Sequence, residues 1–226
     1  MPSLTQLLTS HGRLLLLDAA SQRVQVGLLQ PDAPAVWHAT MQEAGIGLFS
    51  GAESVLKSAG FGLPDVGAFV FCEGPGSMLG IRTVAMALRT WQVLKPRPVY
   101  AYQSLAIAGQ FAWTQQARGF AVIADARRDT WHVQSVGADG RMPPLQRLPA
   151  AGLPAGELLT PENFRAWVQP PRPAAAGGYD LAKIFPAIAD GEFFHAAAAP
   201  DAFQHGAPEY KKWSAQIHRA PTAAVK

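Results

Sequence analysis

The sequence predicts an α/β protein with mixed sheets, arranged as two lobes. Along the first half, short apolar strand segments and helix-forming segments follow the order β-β-β-α-β-α-β-α. A strand, a turn and a second strand then start again at Phe120–Val136, which repeats the opening of the chain. We therefore place a first lobe at residues 1–117 and a reduced second lobe at residues 118–226.

The composition supports a folded protein with little charge. Of 226 residues, 49% are hydrophobic and 15% are charged, which allows a sizeable core and argues against a disordered chain. The net charge is +3, and the basic residues are scattered singly except for the pairs Arg127-Arg128 and Lys211-Lys212. Because a nucleic-acid binder usually clusters its basic residues, we expect no direct binding of DNA or RNA.

The single cysteine and the short apolar runs indicate the compartment. Cys72 is the one cysteine of the chain, so an intrachain disulfide is excluded and a reducing compartment is expected. Its place in an apolar strand predicts a buried, inert thiol. The apolar runs are too short to span a bilayer, and no signal peptide is expected. The sequence therefore predicts a cytoplasmic protein without a membrane partner.

The elements follow from hydrophobic periodicity and turn residues. The predicted strands are Arg13–Asp18, Val24–Leu29, Ala35–Met41, Val66–Cys72, Val99–Ala101, Phe120–Asp125 and Thr130–Val136. The predicted helices are Leu48–Ala59, one beginning after Ser77, Ser104–Gln116, one beginning near Thr160, and Leu181–Ile188. No structure is predicted for residues 1–12, and the tail from Pro208 is expected to be extended.

The junction between the fourth strand and the next helix is the most informative segment. Gly74-Pro75-Gly76-Ser77 is followed by Gly80, and glycines at such spacing allow a close approach of the backbone. Ser77 is the natural N-cap, and the helix N-terminus could hold a phosphate. The spacing fits neither a Walker loop nor a dinucleotide fingerprint. From the residues alone, a tight strand–helix turn is the favoured interpretation and a phosphate loop is the alternative.

The same segment resembles a known family. Val66–Tyr100, with Gly-Pro-Gly-Ser, Gly80 and Arg82, is similar to the TsaB (YeaZ) family. Further matches, in the family's order, are Leu14–Ser21, Gln103-Ser104-Leu105, Asp125-Ala126-Arg127 with Trp131, and Pro208-Glu209-Tyr210. The match is good over about residues 13–136 and loose beyond them.

The resemblance implies a two-lobed actin/Hsp70-like ATPase (ASKHA) fold. It also implies a role in making the threonylcarbamoyladenosine (t6A) of tRNA, as the non-catalytic partner that activates the paralogue TsaD. TsaE, a further ATP-dependent component, is the second implied partner. Contact with tRNA is expected to be indirect, through partner proteins. The family is also labelled glycoprotease-like (M22-like).

Several residues depart from the family's pattern. Ala19 and Ala20 replace Thr-Ser, Met78-Leu79 replaces Phe-Thr, and Glu73 adds a negative charge before the glycines. We therefore expect no cofactor, with weak ATP or ADP binding left open, and at most a degenerate phosphate loop. Its candidate residues are Asp18, Gly74, Pro75, Gly76, Ser77, Gly80 and Asp125.

Catalytic and metal motifs are missing from the sequence. No two histidines are three to five residues apart, which excludes a helical metal pair, and no Gly-x-Ser-x-Gly elbow is present. The alternatives to the non-catalytic subunit are a glycoprotease-like or kinase-like ATPase with its own nucleotide site, and a homodimeric structural protein.

The partner surface is expected on the helices around residues 46–59 and 77–94. Arg82 and Arg89 are seven apart and therefore share a helical face. The predicted interface residues are Leu48, Ala52, Val55, Arg82, Ala85 and Arg89.

Overall fold

The protein is described as a computed structural model, which places residues 1–203. The predicted tail from Pro208 and the family match at Pro208-Glu209-Tyr210 lie outside the described residues. No helix among residues 1–203 is long and apolar enough to cross a membrane.

Within residues 1–203, the first sheet has six strands in the order β11-β5-β4-β1-β2-β3. Their bounds are β1 Leu14–Asp18, β2 Val24–Leu29, β3 Val36–Thr40, β4 Ala68–Gly74, β5 Val99–Gln103 and β11 His195–Ala196. β1, β2 and β3 form an antiparallel meander, whereas β1, β4 and β5 are parallel. Every residue of β1 is buried, because helices cover both faces of the sheet, and this explains its continuous apolar run.

In the described part of the chain, five helices pack around this sheet. They are α1 Leu4–His11, α2 Ala44–Ser58, α3 Met78–Leu94, α4 Ser104–Gln115 and α5 Leu181–Ala187. Since side chains of a strand alternate between faces, Leu15 and Leu17 pack in the core with α2 and α3. Leu14 and Leu16 pack in the opposite core with α1, α4 and α5.

The second sheet has the order β10-β9-β6-β7-β8. Its strands are β6 Phe120–Asp125, β7 Thr130–Val136, β8 Gln146–Pro149, β9 Leu158–Pro161 and β10 Ala175–Gly177. β6 and β7 are antiparallel, and β6, β9 and β10 are parallel. β6–β7 thus repeats the hairpin β1–β2, and the mixed character predicted for both sheets is confirmed.

Three local predictions need correction. Residues 4–11 form a helix, held at its start by a capping box between Ser3 and Gln6. α2 begins at Ala44, four residues before the predicted start. The helix predicted near Thr160 is wrong: this segment is the end of β9, followed by Asn163 with φ 63°, a left-handed conformation that a helix cannot contain.

The chain returns to the first sheet after completing the second. α5 packs against α4, and β11 pairs antiparallel with β5. The second sheet begins at Phe120, close to the lobe division predicted at residue 118. However, α5 packs in a core that both sheets share, and β11 is a strand of the first sheet. The division of the chain into residues 1–117 and 118–226 stays a prediction.

Candidate functional site

The candidate phosphate loop and Asp18 lie at one edge of the first sheet. β1 and β4 are parallel neighbours, so Asp18 at the end of β1 and the loop after β4 meet there. The Ser77 N–H donates a hydrogen bond of 2.7 Å to the Ala20 carbonyl oxygen. Ser77 also caps α3, as predicted, because its hydroxyl accepts from the Gly80 N–H at 3.4 Å. The sequence motif and the turn after β1 are therefore in direct contact.

The glycines of the loop make this contact close. A Cβ at Gly76 would lie well inside 3.0 Å of the Ala20 carbonyl oxygen, and one at Gly80 would lie equally close to the Ala19 carbonyl oxygen. Pro75 contributes its carbonyl oxygen, which accepts a bond of 2.5 Å from the Ser104 hydroxyl. The glycines thus bring the loop onto the protein's own β1–β2 turn.

Asp18 is fully buried and its oxygens are occupied. Oδ2 accepts hydrogen bonds from the hydroxyls of Tyr102 (2.6 Å) and Tyr179 (2.7 Å). Oδ1 accepts from the Ala20 N–H at 2.8 Å. Burial raises the pKa of Asp18 above its usual 3.8, and these three hydrogen bonds only partly oppose that effect. The carboxyl group is directed into the core, where it meets protein groups.

Cys72 belongs to the same buried cluster. Its Sγ lies 3.9 Å from the Tyr179 hydroxyl. Burial, and next the charge of Asp18, raise the pKa of Cys72 well above 9.0. The prediction of a buried thiol is confirmed, and the raised pKa disfavours the thiolate, the form that reacts or binds metal.

Tyr179 and its neighbours close this site from the second half of the chain. The Gln25 amide donates to the Tyr179 carbonyl oxygen at 2.9 Å and accepts from the Leu181 N–H at 3.0 Å. The Gln22 N–H donates to the Asn163 carbonyl oxygen at 2.8 Å. Sequence reasoning missed these residues. One available signal was Gln25, a long polar side chain within an otherwise apolar strand.

Asp125 has a different set of hydrogen bonds from Asp18. Its Oδ1 accepts from the Arg127 N–H at 2.6 Å, and its Oδ2 accepts from the N–H groups of Trp167 (2.6 Å) and Val168 (3.3 Å). The carboxylate therefore joins the β6–β7 turn to the segment that follows β9. Asp125 thus connects two loops, a role typical of aspartate at turns.

The two candidate carboxylates, Asp18 and Asp125, are occupied by protein groups. A cavity of about 480 Å³ lies between the β1–β2 turn and the starts of α2 and α3, and Ser77 and Gly80 line it. Asp18, Gly74 and Asp125 are not among its lining residues. Both carboxylates are engaged elsewhere, so the cavity has no carboxylate of the predicted site to hold a metal–phosphate complex.

The predicted partner interface is corrected at four positions. Leu48, Ala52, Val55 and Ala85 are buried, because the positions with the strongest helical periodicity face the first sheet. Arg82 and Arg89 are exposed as predicted, and the Arg89 guanidinium lies 3.5 Å from the Asp201 carboxylate. The exposed apolar side chains on these two helices are Ile46, Phe49, Met78, Leu79, Met86, Val93 and Leu94.

The two mixed sheets and their repeated hairpins define the class. A meander β3-β2-β1 extended by the parallel strands β4 and β5, with helices on both faces, is an actin-like ATPase (ASKHA) fold. No family model matches the chain. No curated protein matches it either.

Within that class, the structure is similar to YeaZ from Pseudomonas aeruginosa. The sequence identity is 25% and the TM-score is 0.61, over 79% of this chain and 90% of that chain. It is also similar to an uncharacterized protein with similarity to peptidase YeaZ from Pseudomonas aeruginosa, at 24% identity and a TM-score of 0.63, over 86% and 99% of the two chains. The resemblance to the TsaB (YeaZ) family seen in the sequence is thereby confirmed.

Proposed function

We propose that this chain is a non-catalytic subunit of the t6A synthesis complex, which pairs with TsaD and activates it. The similarity to YeaZ supports the family, and the closed Asp18 site supports the non-catalytic role. A carboxylate enclosed by two tyrosines cannot hold a metal for phosphate chemistry without opening the core. In this proposal the chemistry takes place on TsaD, in the cytoplasm, with TsaE as the further ATP-dependent component.

The observation that carries the pairing is the exposed apolar face of α2 and α3. Leu79, Met86 and Val93 are 78%, 57% and 84% exposed, and their seven-residue spacing places them on one side of α3. On α2, Ile46 and Phe49 are also exposed, and Phe49 contacts Trp91 of α3 edge to face at 6.0 Å. Contiguous apolar side chains of this kind mark protein–protein interfaces.

Charge on the same face indicates the chemistry of the partner surface. Arg82 lies one helical turn after Leu79 and makes no ion pair within residues 1–203. We expect it to meet an acidic group of TsaD at the edge of the apolar contact. The core of such an interface is apolar and its rim is polar, which matches this arrangement of Leu79, Met86 and Arg82.

In the proposed complex, the two paralogues form a pseudo-symmetric pair. The α2–α3 face of this chain packs on the equivalent helices of TsaD, and the contact stabilises the productive conformation of TsaD. A second copy of this chain is the other occupant that suits the same face, so a homodimer is the alternative state in the absence of TsaD.

The test is size-exclusion chromatography with TsaD from the same organism, at micromolar concentration. We expect co-elution of the wild-type chain and its loss with the charge-introducing variant Met86→Glu. Arg82→Glu is expected to weaken the complex by reversing the rim charge. Val168→Glu, at an exposed apolar residue of the second lobe, is the matched control and is expected to co-elute normally.

Two outcomes would count against the proposal. One is the failure of wild-type chain and TsaD to co-elute. The other is an equal loss of the complex with Val168→Glu and with Met86→Glu. Light scattering on the chain alone separates monomer from homodimer, and Met86→Glu should abolish any homodimer that uses the same face.

A further inference from the structure

An exposed tryptophan lies close to two arginines at one end of the second sheet. The indole of Trp167 is 63% exposed. The Arg127 guanidinium carbon lies 5.3 Å from the centre of this ring, and that of Arg165 lies 5.6 Å from it. Both cations are therefore within the distance at which a guanidinium interacts with an aromatic face.

The local backbone holds these side chains in place. Asp125 accepts hydrogen bonds from the N–H groups of both Arg127 and Trp167, so one carboxylate positions the two loops. Arg127, Arg128 and Asp129 have φ values of 64°, 53° and 53°, three consecutive non-glycine residues in the left-handed region. Such conformations persist only where surrounding contacts enforce them, and they concentrate at functional sites.

Three further arginines lie close to this turn. Arg128 is exposed within it, and the Arg147 guanidinium donates to the Thr130 hydroxyl at 2.9 Å and to the Ala126 carbonyl oxygen at 3.0 Å. Arg172 and Arg165 both line a cavity of about 390 Å³ beside β6. We call Arg127, Arg128, Arg147, Arg165, Trp167 and Arg172 the arginine–tryptophan surface.

The charge of this surface is positive and unpaired. The two loops contain three carboxylates, Asp125, Asp129 and Glu162, against four arginines, and Arg147 of β8 is the fifth arginine of the surface. Within residues 1–203, none of these five guanidiniums has a carboxylate oxygen within 4.0 Å. Cations that converge without counter-charges favour an anionic ligand.

We propose that the arginine–tryptophan surface binds a single-stranded segment of RNA. An unpaired base would stack on the exposed face of Trp167, and the flanking phosphates would accept hydrogen bonds from the guanidiniums. This inference deepens the proposed function and rests on it only for the choice of RNA over DNA. It differs from the expectation, drawn from the sequence, that this chain contacts tRNA only through partner proteins.

The exposed indole distinguishes this ligand from other anions. An acidic peptide could pair with the arginines, but its carboxylates would leave the indole face uncovered. An RNA duplex keeps its bases stacked inside the helix, so it offers no base face to Trp167. A single strand offers phosphates to the guanidiniums and an unpaired base to the indole of Trp167.

The test is fluorescence anisotropy of the full chain with a labelled oligouridylate of about 12 nucleotides, within the site sizes known for single-strand binding. We expect binding that weakens with salt, and a loss of about tenfold in affinity for Trp167→Ala. The double variant Arg127→Ala/Arg165→Ala should flatten the log–log salt dependence by about 1.4, since each phosphate contact on a single strand contributes about 0.7.

Arg141→Ala is the matched control. Arg141 is an exposed arginine beyond the end of β7 that lies opposite the Arg127–Asp129 turn. Its removal lowers the net charge by one, half the change in the double variant. Its RNA affinity should match the wild type. Unchanged circular dichroism and co-elution of Trp167→Ala with TsaD would show that the fold and the α2–α3 face are intact.

Any of four results would overturn the inference. They are no binding at about 100 µM protein, the weak end of non-specific affinities, equal binding of an RNA duplex, equal competition by polyglutamate, and an equal loss with Arg141→Ala. Because RNA binding is measured without TsaD, failure of the TsaD pairing and failure of RNA binding are separate outcomes.

Discussion

The Tyr179 hydroxyl donates a 2.7 Å hydrogen bond to Oδ2 of Asp18, across 161 residues of sequence. Asp18 ends the first strand of the first sheet, whereas Tyr179 follows β10 of the second sheet. Through this bond, a residue from the second half of the chain engages Asp18, the carboxylate that the sequence offered as a candidate phosphate-site residue. The two halves are thus joined at the candidate site itself.

Removal of the Tyr179 hydroxyl should destabilise the protein. Tyr179→Phe leaves the buried Asp18 carboxyl group with one tyrosine donor, Tyr102, and hydrogen bonds to charged groups contribute about 1.5–3 kcal/mol. We expect the free energy of unfolding in urea to fall by about that amount. Tyr100→Phe is the control, since its hydroxyl bond of 2.9 Å to His11 is only partly buried and the loss should be about 1 kcal/mol or less. Equal losses in the two variants would contradict a special role for the Asp18 contact.

The stability contributed by Asp18 should depend on pH. The pKa of Asp18 is raised in the folded state, mainly by burial, so the folded protein holds this proton more tightly than the unfolded chain does. Its contribution is therefore fully present below about pH 3.8 and is lost as pH rises through the folded-state pKa. The variant Asp18→Asn lacks this titration.

The measurement is a set of urea midpoints for the wild type and Asp18→Asn from acid to neutral pH. We expect the wild-type stability, relative to the variant, to fall as pH rises above about 3.8 and then to level off. Titrations of all other groups cancel in this difference. Parallel stability curves over the whole range would rule out a raised pKa of Asp18.

A methyl group at Gly80 should destabilise the protein. Alanine inside a helix is normally more stable than glycine by about 0.5–1 kcal/mol. At Gly80, however, the new Cβ would overlap the Ala19 carbonyl oxygen, so Gly80→Ala should lower the unfolding free energy by about 1–3 kcal/mol. At Gly45, also in the first turn of a helix, a Cβ would meet nothing within 4 Å.

Gly45→Ala is therefore the matched control and should stabilise the protein by about 0.5–1 kcal/mol. Thermal and urea unfolding of both variants give the comparison. Opposite signs would support the close contact between the loop and the β1–β2 turn, whereas stabilisation by both substitutions would show that this contact is loose.

Nucleotide binding should be absent or very weak. Ser77 at the start of α3 donates its N–H to Ala20, and Asp18 is enclosed by Tyr102 and Tyr179. We expect titration calorimetry with ATP and magnesium to show no binding heat. Tight, metal-dependent binding that Asp18→Asn abolishes would instead favour the ATPase alternative, with Asp18 and the Gly74–Gly80 loop as its site.

Much of the fold was predictable from local patterns. Strand runs such as Leu14–Asp18 and Phe120–Asp125 are buried on both faces or nearly so, and their continuous apolar composition makes them easy to recognise. The N-cap role of Ser77 and the burial of Cys72 were also predictable, because Ser77 immediately precedes a helix and Cys72 lies in an apolar strand. These features depend on neighbours along the chain, so sequence reasoning reaches them.

The interface residues were less predictable. Helical periodicity identifies an apolar stripe, but it does not say whether the stripe faces the sheet or a partner. Leu48 and Ala85 belong to the stripe that the first sheet buries, and the exposed apolar residues Leu79, Met86 and Val93 occupy the other side of the helix. Only the packing of α2 and α3 on the sheet separates the two sets.

By itself, the sequence determined the two-lobed α/β class, the strand–glycine–helix junction after β4 and the resemblance to the TsaB (YeaZ) family, because each depends on residues close together in the chain. The tertiary structure alone decided that Tyr179 closes the Asp18 site and that scattered arginines converge on Trp167. The Tyr179–Asp18 and Arg127–Trp167 contacts join residues far apart in sequence, so no local pattern predicts them. The Tyr179–Asp18 contact also requires the chain to return from the second sheet to the first.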